Sequence, residues 1–160
     1  MAARRRRTTV IDPIHSHVRL AGHPLHPMVV HFPVAMLLAV LGADAAHWWT
    51  ADVFWQRAAL WLAGVGAWGG WFAAVVGTAD WVLVGRIRRM LVAACHGVAA
   101  VMMLSVATLS WFWRLQAAPS GEPVWITVAL SALAAFLVGL ASLLGGRLVY
   151  EQAVGVVTAR

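Results

Sequence analysis

Four long apolar runs dominate this chain of 160 residues and limit what it can fold into. The runs cover about residues 28–49, 58–84, 90–113 and 124–149. Each is longer than the roughly 20 residues that a helix needs to cross a hydrocarbon core about 30 Å thick. The gaps between the runs are short, and the last holds the turn-forming segment Ala-Pro-Ser-Gly-Glu-Pro. The pattern predicts an all-α membrane protein, a bundle of four transmembrane helices.

The composition excludes the soluble classes of protein. Hydrophobic residues make up 62% of the chain and charged residues only 11%. A water-soluble domain of this size could not bury so much apolar surface. A soluble enzyme and a free-standing nucleic-acid-binding module are therefore excluded, despite the net charge of +6. We expect a basic cytoplasmic segment at residues 1–21 and one transmembrane domain at residues 22–160.

The basic residues predict the orientation of the bundle. All 12 of them are arginines. If the N-terminus is cytoplasmic, only Arg57 and Arg114 lie outside. The other ten lie inside: Arg4, Arg5, Arg6, Arg7, Arg19, Arg86, Arg88, Arg89, Arg147 and Arg160. Because positive residues concentrate on the cytoplasmic side, both termini are expected there.

Each predicted helix also carries small residues at helical spacing, which let helix backbones approach closely in lipid. The stripes are Ala35, Ala39, Gly42 and Ala46; Gly66, Gly70, Ala73 and Gly77; Ala93, Ala100 and Ala107; and Ala135, Gly139, Ser142 and Gly146. Extended toward the cytoplasmic side, these four faces reach His31, Asp80, His96 and Tyr150. Ionisable residues inside a membrane are costly, so a functional site is expected there. The alternative is a polar cluster that only holds the helices together.

Two histidines on different helices at matched depth indicate a haem site. Imidazoles from facing helices are the usual axial ligands of haem iron in bundles. We expect His31 and His96 to be these ligands, with the cations Arg86 and Arg89 near the haem propionates. Since the chain has no C-x-x-C-H motif, the haem would be b-type. Asp80 and Tyr150 would support the ligands or handle protons.

A histidine-rich segment precedes the first predicted helix. It reads His23-Pro24-Leu25-His26-Pro27. His23 and His26 are candidates for reserve ligands or for groups near a quinone. They could also form a zinc or copper site with His31, with or without Met28. A further alternative is an interfacial turn whose imidazoles bind water, carbonyls or lipid phosphate. At the other end of this helix, Asp44 and His47 are expected to form a local hydrogen-bonded pair.

The chain resembles a known bacterial family of small four-helix membrane proteins, catalogued as domain of unknown function 2231. The resemblance lies in Gly-His-Pro-Leu-His-Pro-Met-Val-Val-His-Phe-Pro-Val-Ala at residues 22–35, Gly-Thr-Ala-Asp-Trp at 77–81, His96, and Gly-Gly-Arg-Leu-Val-Tyr at 145–150. Some relatives are joined to Rieske-type iron–sulfur domains or occur beside membrane redox enzymes. The resemblance therefore implies a bundle in a bacterial cytoplasmic membrane, in the company of electron-transfer proteins.

These observations lead to one functional hypothesis and one alternative. The hypothesis is a b-type haem-binding subunit that passes electrons between a partner redox protein and quinone. The partner would be an iron–sulfur protein or a dehydrogenase, and the chain would contact lipid but no nucleic acid. The alternative is a structural subunit of a larger membrane complex that carries no cofactor.

The arginine distribution also yields a topology prediction. A reporter that is active only in the cytoplasm should work when fused after Arg160 and fail when fused at Ser120. An enzyme that is active only outside the cytoplasm should give the opposite pattern. A cytoplasmic signal from the fusion at Ser120 would overturn the predicted orientation.

Overall fold

The computed structural model describes residues 12–117 and 124–156 and contains four long helices. These are α1 (Leu25–Thr50), α2 (Val53–Leu83), α4 (Leu91–Gln116) and α5 (Trp125–Tyr150). A short helix, α3 (Gly85–Arg88), lies in the predicted loop between α2 and α4. All four long helices are long and apolar enough to cross a membrane. The predicted all-α membrane fold is therefore confirmed, and the predicted runs differ from the helices by a few residues at their ends.

The four long helices run alternately up and down. α1 packs against α2 and α5, and α4 packs against the same two helices. α1 and α4 therefore lie on one diagonal of the bundle, and α2 and α5 lie on the other. We call the end where α1 and α4 begin the proximal end, and the opposite end the distal end. Short connections between successive helices favour this arrangement.

Helix α2 provides a small-residue face into which side chains of its neighbours fit. A Cβ atom added at Gly66 would lie 2.8 Å from Leu37 Cδ2, and one at Gly64 would lie 2.6 Å from Trp111 Nε1. A Cβ at Gly70 would collide with Leu104. Because these glycines lack side chains, leucines from α1 and α4 reach the centre of the bundle. The central core cluster is formed by Leu37, Ala67, Met103, Leu104, Ala107, Leu137 and Val138.

The predicted small-residue stripe is confirmed for α2, but the stripes for α1 and α5 are wrong. Ala35, Ala39 and Gly42 of α1 are exposed, as are Gly139 and Ser142 of α5. The buried residues of α1 are Pro33, Leu37, Val40, Ala43, Asp44 and His47. Only one helix of a pair must be small for two backbones to approach, since a larger side chain of the other helix fills the gap.

Residues 12–24, which we call the strap, cross the proximal end of the bundle. Strand β1 (Arg19–Leu20) pairs with strand β2 (His23–Pro24) in a tight hairpin. Its turn residues, Ala21 and Gly22, have φ values of 49° and 82°, the left-handed region that such two-residue hairpins require. Much of the predicted N-terminal segment thus packs against the bundle, while residues 1–11 lie outside the described residues.

The α2 face yields a stability prediction. Gly66→Ala should lower the free energy of unfolding by about 2 kcal/mol, because the added methyl group would lie 2.8 Å from Leu37 Cδ2 and 2.9 Å from its Cγ, so that the Leu37 side chain has to shift. The control is Gly139→Ala, since a Cβ there meets nothing within 4 Å. Thermal unfolding in detergent measures both variants. Equal melting temperatures would contradict the proposed close fit between α1 and α2.

Candidate functional site: a histidine pair at the proximal end

Two imidazole rings meet inside the proximal end of the bundle. His26, in the first turn of α1, lies beside His96, in the second turn of α4. Their ring centroids are 6.3 Å apart, and the ring planes are nearly perpendicular, at 85°. Both side chains are half-buried. Because α1 and α4 lie on one diagonal, this pair spans the interior of the bundle.

Each ring is fixed by a hydrogen bond to a backbone carbonyl of a neighbouring helix. His26 Nδ1 lies 2.8 Å from the carbonyl oxygen of Ala73 on α2, and His96 Nδ1 lies 2.9 Å from that of Ala141 on α5. A carbonyl oxygen only accepts, so Nδ1 of each ring is the protonated nitrogen. In a neutral imidazole, Nε2 then carries a lone pair that is available to a ligand.

A glycine follows each of these carbonyls four residues later and makes room for the ring. A Cβ atom at Gly77 would lie 2.9 Å from His26 Nδ1, and one at Gly145 would lie 3.2 Å from His96 Cε1. In a helix the side chain at i+4 lies near the carbonyl of residue i, so a glycine there leaves that carbonyl accessible to a side chain from another helix. Ala73 with Gly77, and Ala141 with Gly145, therefore form matching receptors for the two imidazoles.

The expected pairing of His31 with His96 is not the one that the structure has. His31 is exposed, and His26 takes the place beside His96. The buried face of α1 runs from His26 through Pro33 and Leu37 toward the distal end. The stripe of Ala35, continued backward by helical period, leads to His31, but this face of α1 is the exposed one. The sequence signal for the two imidazole positions is an Ala-x-x-x-Gly pair, formed by Ala73 and Gly77 on α2 and by Ala141 and Gly145 on α5.

The other predicted site residues lie around the pair rather than in it. His23 is exposed in the hairpin and bonds the carbonyl of Ala21 at 3.0 Å. Tyr150 is 87% exposed, which contradicts its predicted place on a packing face. Arg86 and Arg89 are exposed at the proximal end, where Arg86 pairs with Asp12 at 3.1 Å. These two arginines are cations at the surface, not part of the interior site.

Asp80 is buried, as its place on the α2 face predicts, but its partners belong to the strap. Its carboxylate accepts hydrogen bonds from Ser16 Oγ and from the backbone N–H groups of His17 and Val18. Sequence reasoning did not anticipate this contact, because it joins residues more than 60 positions apart.

Within the part of the chain that the structure describes, no group of three or more His, Cys, Asp or Glu side chains could hold a metal ion. The alternative of a zinc or copper site built from His23, His26 and His31 is therefore not supported. His26 turns into the bundle, whereas the other two histidines are exposed. A bare metal ion commonly takes three or four protein ligands.

A second polar cluster lies at the distal end, around a buried ion pair. Arg114 is 8% exposed and Asp44 is 6% exposed. The guanidinium donates two hydrogen bonds to the carboxylate, at 2.8 Å and 2.6 Å. Ser110 Oγ, Ser131 Oγ and the carbonyl of Thr127 accept further hydrogen bonds from Arg114. Ser131 also donates to Asp44, so the cluster ties α1 to α4 and α5.

The expected local pair of Asp44 and His47 is therefore wrong. His47 is buried beside the start of α2, with Nδ1 bonded to the carbonyl of Asp52 at 3.0 Å and Nε2 bonded to Gln56 at 2.9 Å. Both nitrogens of His47 are thus engaged by protein groups. The distal end offers no second imidazole pair among the described residues.

The fold and site define a polytopic four-helix membrane protein with one histidine pair across the bundle diagonal. A family model described as "predicted membrane protein (DUF2231)" matches residues 22–158. The chain belongs to this family, as the motif at residues 22–35 indicated. No curated protein and no solved structure matches the chain significantly.

The distal ion pair yields a stability prediction. Asp44→Leu should lower the free energy of unfolding by about 3 kcal/mol or more, because it leaves the Arg114 guanidinium buried without its counter-charge. The double variant Asp44→Leu/Arg114→Met should recover most of this loss, since no unpaired charge then remains buried. Unfolding in detergent measures both.

The control for this prediction is Asp12→Asn, which removes an exposed ion pair with Arg86. Exposed pairs contribute little, so its melting temperature should match the wild type. A double variant less stable than Asp44→Leu alone would contradict the assignment of the loss to an unpaired buried charge.

Proposed function

We propose that this chain is a b-type haem-binding subunit of a membrane electron-transfer system, with His26 and His96 as the axial ligands. The observation that carries the proposal is the geometry of the pair. Two imidazoles on opposite sides of a metal, with metal–nitrogen bonds of about 2 Å, have centroids about 6 Å apart. The rings of His26 and His96 have centroids 6.3 Å apart.

The chemistry of the donors also fits haem iron. A carbonyl acceptor at Nδ1 fixes the tautomer and leaves Nε2 as the ligating atom, which is the usual arrangement of metal-binding histidines. Haem supplies four nitrogens of its own, so two protein ligands suffice. The absence of a third ligand among the described residues argues against a bare ion but not against haem.

The bound haem would carry one electron between the oxidised and reduced states of its iron. The protein would hold the two imidazole rings in position through the backbone carbonyls of Ala73 and Ala141. The exposed Arg86 and Arg89 are suitable partners for propionate groups at the proximal surface. With the orientation that the arginines predict, the proposed site would lie near the cytoplasmic face of a bacterial inner membrane.

The family resemblance supports the proposed electron partners. Relatives joined to iron–sulfur domains support an iron–sulfur protein or a dehydrogenase as the donor, and quinone dissolved in the bilayer is the proposed acceptor. The chain itself offers one histidine pair among its described residues, so it would serve as a single-haem link rather than a membrane-crossing pair of haems.

The alternative function is a structural subunit of a larger membrane complex. One observation favours it: the two rings are in an edge-to-face arrangement and already have hydrogen-bond partners, so they could join the helices without a cofactor. Haem content separates the two functions.

The haem proposal makes a direct prediction. The chain purified from a haem-sufficient host should contain about one haem per chain, with a low-spin absorption spectrum. His26→Ala and His96→Ala should each abolish that spectrum, because each removes an axial ligand. His31→Ala is the matched control and should retain it, since His31 is exposed one to two turns farther along the same helix.

Size-exclusion chromatography and circular dichroism confirm that each variant remains folded. A folded wild-type chain that binds no haem, even after reconstitution, would overturn the proposal in favour of the structural subunit. Loss of the spectrum in His31→Ala with retention in His26→Ala would overturn the ligand assignment.

A further inference from the structure

Besides the exposed ion pair of Asp12 with Arg86, two buried attachments hold the strap to the bundle. The N–H of Ile14 donates to the carbonyl of Ala153 at 3.0 Å, and the carbonyl of Ile14 accepts from Gly155 at 2.8 Å. The Ile14 side chain is 3% exposed and packs in the proximal core with Val84 and Leu148. This first attachment joins the segment before α1 to the segment after α5.

The second attachment is Asp80 of α2. One carboxylate oxygen accepts from His17 N–H at 2.7 Å and from Val18 N–H at 3.0 Å, and the other accepts from Ser16 Oγ at 2.6 Å. Asp80 is only 8% exposed. A buried carboxylate is stable only when it is well hydrogen-bonded, and here the strap supplies all three of these donors.

A short chain of hydrogen bonds connects Asp80 to His26. Val18, which donates to Asp80, accepts through its own carbonyl from Leu25 N–H at 3.0 Å. Leu25 is the first residue of α1, and His26 follows it directly. Among the described residues, no side-chain hydrogen bond caps the start of α1. The carbonyl of Val18 in the strap instead satisfies the first N–H group of this helix. The strap thereby holds the helical turn that carries His26.

The same face of α2 therefore contacts both the His26 ring and the strap. Ala73 accepts the hydrogen bond of His26, Gly77 makes room for the ring, and Asp80 binds the strap. These positions are i, i+4 and i+7, so they lie along one side of the helix. We propose that the Asp80 carboxylate holds the strap against α2 and, through Val18 and Leu25, positions the His26 ring. The part that concerns haem rests on the proposed function above.

The test compares Asp80→Asn with the wild type in the full chain in detergent. Asparagine keeps the shape of aspartate but removes the charge and one acceptor oxygen. Hydrogen–deuterium exchange of peptides covering residues 12–24 measures how firmly Asp80 holds the strap. We expect exchange at His17 and Val18 to become about tenfold faster, because their N–H groups lose a charged acceptor.

Carbethoxylation by diethyl pyrocarbonate measures the accessibility of the His26 ring, and it can be carried out on haem-free protein. The haem-free chain is treated briefly, and modified His26 is measured by mass spectrometry. We expect several-fold faster modification in Asp80→Asn, because the half-buried ring becomes more accessible when the strap opens. In haem-loaded protein, we expect haem to transfer about tenfold faster to an acceptor apoprotein.

Asp44→Asn is the matched control, since Asp44 is equally buried but bonds Arg114 at the distal end. It should leave both the strap exchange and the His26 modification at wild-type rates. Unchanged hydrogen–deuterium exchange of the strap in Asp80→Asn would overturn the proposal that Asp80 holds the strap. Faster strap exchange with unchanged His26 modification would overturn the positioning role. Absence of haem from the wild type would refute the proposed function alone, since both of these readouts remain valid without it.

Discussion

The close approach of α2 to its neighbours is the constraint on which the rest of the structure depends. In lipid, apolar side chains gain little by leaving the solvent, so helices associate through tight packing and hydrogen bonds. The glycines of α2 admit Leu37, Leu104 and Trp111 and thereby set the distance of α1 and α4 from α2. The absence of a side chain at Gly77 likewise makes room for the His26 imidazole. The histidine pair is thus a local consequence of the packing rule that builds the whole bundle.

Polar groups inside this bundle are placed at its two ends, and each end satisfies them differently. At the distal end Arg114 and Asp44 neutralise each other, with serine hydroxyls completing their hydrogen bonds. At the proximal end two imidazole rings bond backbone carbonyls, and one carboxylate accepts from backbone N–H groups and a serine hydroxyl. The distal cluster pairs its charges, whereas the proximal rings each bond a carbonyl through Nδ1 and have no Nε2 hydrogen bond to the residues that the structure describes. This difference is why the proximal end is the candidate functional site.

The strap makes the proximal site dependent on parts of the chain that lie far apart in sequence. Ile14 joins the segment after α5, and Ser16, His17 and Val18 join α2. A side chain in the first turn of a helix, such as His26, would otherwise lie at a fraying end. The hydrogen bonds from the strap to Asp80 would reduce the fraying of this first turn. This is how the carboxylate would position His26.

The sequence alone determined the number of membrane helices, their approximate bounds, the small face of α2 and the inward placement of Asp80, since these follow from hydropathy and helical period. The motif at residues 22–35 also identified the family. Tertiary structure alone decided which face of α1 turns inward, and so whether His26 or His31 meets His96. It also joined Arg114 to Asp44 and the strap to Asp80. Helix period defines faces but not their partners, because in lipid apolar and small faces suit either a helix or the bilayer, and only packing between specific helices chooses.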